Sequence, residues 1–160
     1  MRPGIYMQRI IEKALTVLLM IYAGSATAEG KVNDLCHIGN RVDKLEITNY
    51  PQSYTSPVSI DEGRLNEIYK YKVEITHLYD KESKKIFELL QMDYVEQEEN
   101  VADLRWRVNI TSYQNKKCDI YFDGFGLCGK INGENVCFRH NEMIRWIESH
   151  ISVFLHSVNE

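Results

Sequence analysis

The feature that most constrains this chain is the run Cys128-Gly-Lys-Ile-Asn-Gly-Glu-Asn-Val-Cys137. Asn132-Gly133 is the favoured two-residue type I′ turn, because both central positions need positive φ. Centring a hairpin there sets Ile131 opposite Glu134, Lys130 opposite Asn135, Gly129 opposite Val136 and Cys128 opposite Cys137. Counting outward, the cysteines form a non-hydrogen-bonded pair, the closely spaced kind, at the short end of what a disulfide bridges. The turn and the cysteines specify the same register.

The preceding residues contain Gly124-Phe-Gly-Leu-Cys-Gly129, a literal G-x-G-x-x-G. A dinucleotide loop needs those glycines to open a helix whose N-terminus meets the pyrophosphate. Here they lead into a hairpin, so they are read as turn chemistry. A calcium loop also fails, since aligning Gly124 with loop position six puts Tyr121 and Lys130 where carboxylates are required. With four cysteines in the chain, Cys36 is left to pair with Cys118. A four-residue loop over 123–126 would set Cys118 opposite Ile131, on the other sheet face from Cys128. No metal set is expected from cysteines used as bridges, and no cofactor motif is present.

The N-terminus indicates where such bridges form. Arg2, Arg9 and Lys13 precede the apolar run Ala14–Tyr22, and Ala26-Thr27-Ala28 offers a small-residue cleavage site. This is the pattern of a secretory signal peptide. Nine residues of helix rise about 14 Å, far short of a hydrocarbon core about 30 Å thick. Residues 1–28 are therefore expected to be removed, leaving 29–160 as one periplasmic or secreted domain with no stable membrane insertion, in an oxidising compartment that suits disulfides. Of 19 basic and 23 acidic residues, cleavage leaves 16 and 22. An acidic chain lacks the basic face that nucleic-acid binding needs.

Elsewhere period-two patterns predominate. Tyr69 to Tyr79 and Ala102 to Thr111 each alternate apolar with polar residues, as half-buried strands do. Leu45–Asn49 is a shorter candidate, and Lys85–Val95 reads as strand in preference to helix. Ser59, with Glu62 three residues on, has the form of a helix cap. Asn141 is an N-cap residue ahead of Met143, Ile144, Ile147, Ile151, Phe154, Leu155 and Val158 at helical steps. The expected fold is α+β: one antiparallel sheet of about five to seven strands, packed against a C-terminal helix and held by two disulfides.

No residue set carries an obvious chemistry. Of five histidines, His77 is placed on the apolar face of its strand. His37 and His140, with Asp119 or Asp123 as orienter, form the one acid–base pair worth testing. No catalytic residue is assigned, and a small secreted hydrolase is the least favoured reading. Glu96, Glu98 and Glu99 make an acidic run suited to steering a basic protein partner, and the loop aromatics Tyr50, Tyr54 and Phe125 are candidate anchors. By elimination the expectation is a small exported protein that acts by occupying another protein, as an immunity protein or inhibitor of an envelope-directed toxin or muramidase. The alternative is an accessory or assembly factor of the cell envelope or a secretion system.

Overall fold

The computed structural model describes residues 29–151. The proposed signal peptide and the continuation of the apolar stripe through Phe154, Leu155 and Val158 lie outside the described residues. Within residues 29–151 eight antiparallel strands form one sheet: β1 (Glu29–Lys31), β2 (Val42–Asn49), β3 (Tyr71–Thr76), β4 (Asp93–Glu96), β5 (Leu104–Ser112), β6 (Lys117–Asp123), β7 (Cys128–Ile131) and β8 (Glu134–Phe138), in spatial order β1-β4-β8-β7-β6-β5-β2-β3. Among the described residues four helices accompany it: α1 (Val32–Cys36), α2 (Glu62–Ile68), α3 (Asp80–Leu89) and α4 (Glu142–His150). The α+β architecture is as expected, with one strand more than the upper figure; the short β1 has no alternation long enough to read.

The period-two pattern of β5 and β6 explains the main core. Trp106, Val108 and Ile110 lie beside Phe122, Ile120 and Cys118, and Leu45 and Ile47 of β2 extend the row. Against this face pack Val32 and Cys36 of α1, Ile86 and Leu89 of α3, and Met143, Ile144 and Ile147 of α4. Burying one such aliphatic side chain contributes about 1.5–3 kcal/mol, so each helix is held by its apolar stripe. The Asn141 side chain accepts from the backbone amides of Met143 and Ile144 and so starts α4 where the cap residue predicts.

Both disulfides form as read: Cys128–Cys137, with Cα atoms 3.9 Å apart, and Cys36–Cys118, at 4.9 Å. All four hairpin pairs about Asn132-Gly133 match the predicted register. The β6–β7 register differs by two residues. Ile120, not Cys118, faces Ile131, and Phe122 faces Gly129, so the loop holds six residues, 123–128, with Cys128 also opening β7. A slip of two keeps side chains on the same face, which is why Cys118 and Cys128 still point to opposite sides.

Three further readings are corrected. Lys85–Val95 is not one strand: its first residues end a helix that spans Asp80–Leu89, and strand is confined to Asp93–Glu96. Ser83, Ile86 and Leu89 are buried at three-residue steps, and Asp80 and Glu82 sit in the first turn, where acidic groups suit the helix dipole. Asp61, rather than Ser59, caps α2 by accepting from the Arg64 amide, while the Ser59 hydroxyl accepts from the Asp103 amide. His77 lies past the end of β3 with φ 56°, exposed rather than on the apolar face.

A bulge at Arg105 has a larger effect. Leu104 pairs with Asp123 but Trp106 with Phe122, and the extra residue turns Leu104 to the opposite face. There it joins Tyr50, Ile60, Leu65 and Tyr121 in a second apolar cluster beneath α2. Arg105, a polar position in the alternation of Ala102 to Thr111, is nonetheless 8% exposed. Its guanidinium donates to Asp103 and to the carbonyls of Pro51 and Tyr54.

Candidate protein-docking site

The six residues Asp123-Gly-Phe-Gly-Leu-Cys128 form a closely fastened loop. The Asp123 carboxylate accepts from three backbone amides: Phe125 at 3.0 Å and Leu127 at 2.9 Å on one oxygen, Cys128 at 3.0 Å on the other. A short polar side chain bonding its own downstream backbone is what makes Asp a turn former. The Gly126 amide donates to the Asp123 carbonyl at 3.2 Å, and the Phe138 amide donates to the Leu127 carbonyl at 2.8 Å. Asn141 donates its side-chain amide to the Gly126 carbonyl at 2.7 Å, and the Cys128–Cys137 bridge closes the base. Gly126 has φ 68°, and a Cβ there would stand 2.8 Å from the Asn141 amide nitrogen.

These bonds use the loop's backbone and leave its large side chains outside. Phe125 is 79% exposed and Leu127 61%. Two apolar side chains at adjacent alternate positions of a fastened loop are ready to enter a cleft, with little further ordering entropy lost on binding. Aromatic anchors of this kind dominate interface energetics. Phe125 was legible as a loop aromatic. Leu127 was missed because the shorter loop placed it in a strand opposite Phe122.

The other predicted anchors separate. Tyr54 is 41% exposed, but Tyr50, read as a loop anchor, is 8% exposed and belongs to the second cluster. Its hydroxyl donates to the Thr55 carbonyl at 3.2 Å, and the Arg105 guanidinium lies 5.3 Å from the centre of its ring. Tyr50 is therefore a packing residue. Glu96 ends β4 opposite Val136, and Glu98 and Glu99 follow, exposed. That run heads toward the Asn132-Gly133 turn, whereas Phe125 and Leu127 stand at the opposite end of the hairpin. The acidic run and the apolar loop are thus two separate surfaces.

The acid–base pair does not assemble around its aspartates. Asp119 accepts from Arg107 and Asn109, each at 2.8 Å, and Asp123 is engaged by its own loop. His37 ends α1 with φ 50° and is exposed, as is His140. Arg107 instead centres an ion network on the second sheet face, reaching Asp119 and, at 3.4 Å, Glu46. Burial opposes the guanidinium's charge, but Tyr121, Asp119 and Glu46 together raise its pKa above the ordinary value. Burial likewise pushes the Tyr121 phenol up. Tyr121 accepts from the Asn66 side-chain amide at 3.3 Å, and Lys130 meets Glu62 at 3.2 Å, so this network fastens α2 to the sheet.

A groove of about 470 Å³ runs between α3 and α4, lined by Lys81, Lys85 and Glu88 on one wall and Trp146 and His150 on the other. The Trp146 and His150 rings stack at 5.4 Å. Among the described residues no group of three His, Cys, Asp or Glu side chains could hold a metal ion, and no helix is long and apolar enough to cross a membrane. Comparison with protein-family profiles, curated proteins and solved structures finds nothing that matches this chain.

Proposed function

We propose that this chain is exported by residues 1–28 and acts in the periplasm or outside the cell by docking on another protein. Its concrete role in this reading is that of an immunity protein or inhibitor of an envelope-directed toxin or muramidase. The observation that carries the reading is the fastened loop, which holds Phe125 and Leu127 in solvent. Insertion of these two side chains into a partner's cleft would bury apolar area at about 25 cal/mol per Å² without first freezing the backbone. The two disulfides suit an oxidising compartment, and the acidic balance favours a basic partner.

The test places a photo-crosslinking amino acid at position 125 and, as control, at the exposed position 113, in the exported protein. A partner joined from 125 and not from 113, whose lytic or toxic activity falls when wild-type protein is added in equal amount, supports the reading. The Phe125→Asp variant should restore that activity. Equal adducts from both positions, or an activity indifferent to the protein, would overturn it.

The groove between α3 and α4 favours a second reading, an accessory or assembly factor of the cell envelope. Trp146 and the lysine stems would hold an extended client segment, and Lys81 and Lys85 would meet its acidic groups. In that case Trp146→Ala would abolish client binding and Phe125→Asp would leave it intact.

A further inference from the structure

Among the described residues β3 closes one end of the sheet with β2 as its neighbour, and β1 closes the other with three residues. β3 runs six residues, Tyr71–Thr76, without proline or bulge. A sheet edge of this kind is a template for a further strand unless something blunts it. Its apolar side chains Tyr71, Val73 and Ile75 pack on the core yet stay partly exposed, while Lys72 and Glu74 stand on the other face with 41% and 44% side-chain exposure.

The hydrogen-bond phase shows which backbone groups face outward. The Tyr50 amide donates to the Arg105 carbonyl, one step beyond the Asn49–Trp106 pair of β2 and β5. Backbone direction alternates along an antiparallel strand. Thr48 and Glu46 therefore bond toward β5, and Asn49, Ile47 and Leu45 toward β3. Their partners Tyr71, Val73 and Ile75 point their backbone groups inward. Lys72 and Glu74 point theirs to the open edge.

We propose that β3 is the interface between two copies of this chain, paired antiparallel about a two-fold axis at Val73. In that register Val73 meets Val73 of the second copy, Tyr71 meets Ile75, and Lys72 meets Glu74. All apolar partners fall on the core face and the opposite charges on the other. Val73 is a non-hydrogen-bonded pair, so the outward amides and carbonyls of Lys72 and Glu74 bond across the axis, twice in each direction. The hydrogen-bond phase requires outward-pointing residues to face one another, and among the registers that meet this condition the charge pattern selects the one that sets each lysine opposite a glutamate. Within one copy Glu74 stands directly opposite Glu46, and Lys44 and Lys72 bridge these two carboxylates at 2.9 and 3.1 Å; the second copy adds its Lys72 on the open side of Glu74. A contact in which one patch meets itself closes at two subunits and leaves only the three-residue β1 at each outer end of the joined sheet.

Sedimentation velocity of the protein expressed from its full chain should show a dimer at tens of micromolar, dissociating on dilution. Glu74→Lys puts lysine opposite Lys72 of the second copy; within the chain it exchanges the exposed bridge to Lys44, a kind of pair that contributes little, for a place opposite Glu46. It should sediment as a monomer with an unchanged far-ultraviolet circular dichroism spectrum and melting temperature. Val73→Cys should form a covalent dimer on a non-reducing gel, since the axis brings the two cysteines together. A wild type that stays monomeric, a Glu74→Lys variant that stays dimeric, or a Val73→Cys variant that links no better than a cysteine at exposed Lys81 would each overturn the proposal.

Discussion

Asn141 joins the exposed loop to the last helix: one end of its side-chain amide donates to the Gly126 carbonyl at 2.7 Å, and the other accepts the first free amides of α4. A single side chain thereby sets the loop's position relative to the core that α4 packs on.

The two roles separate by substitution. Asn141→Asp keeps the cap and loses the donor, while Asn141→Ala loses both. Loss of a cap costs about 1 kcal/mol, so urea unfolding should place the alanine variant about that far below the aspartate variant. Hydrogen exchange at the Leu127 and Cys128 amides should quicken in both.

Gly129 faces Val136 on β8 and Phe122 on β6, and a Cβ there would overlap the carbonyl oxygen of Tyr121. Its need is space, not unusual φ. Gly129→Ala must push β6 and β7 apart, and forced overpacking of a tight core costs about 3 kcal/mol at its upper range. Urea unfolding should show a loss of that order. Gly133→Ala meets no atom within 4 Å and should cost less, through the strain of its φ of 94° alone.

The bridges should differ in worth. Cys36 and Cys118 are 82 apart in sequence, Cys128 and Cys137 nine apart. Chain entropy assigns them about 4.5 and about 2.7 kcal/mol. Replacing Cys36 and Cys118 by serine should be the more damaging, also because both sites are buried in the main core. Denaturation midpoints of the two double variants should rank in that order.

Burial pushes the Glu148 carboxyl above its ordinary 4.5. A carboxyl whose folded pKa is raised contributes stability that is full below its unfolded value and lost as pH rises through the folded one. At neutral pH the partly buried carboxylate is thus a standing penalty. Glu148→Gln should melt at higher temperature than wild type at neutral pH, and the gap should close as pH falls below 4.5. A gap that persists in acid would show that the gain is packing instead.

The hairpin at residues 128–137, both disulfide pairings, the core stripe of β5 from Trp106 onward and the Asn141 cap were legible in the sequence, because each rests on local chemistry. Turn φ, side-chain alternation and capping bonds act within a few residues and need no knowledge of what lies opposite. Residues 80–89 were misread because their short apolar pattern suits either element. Burial of Ser83, Ile86 and Leu89 on the sheet decides for helix. The Arg105 bulge, which turns Leu104 to join Tyr50 in a second cluster, is fixed only when β5 meets β6. The length of the 123–128 loop, and with it the exposure of Leu127, depends on where β6 leaves off against β7. Asp123 sets that point by drawing three amides of its own loop onto one carboxylate, and the disulfide at Cys128 and the Asn141 side chain hold the result.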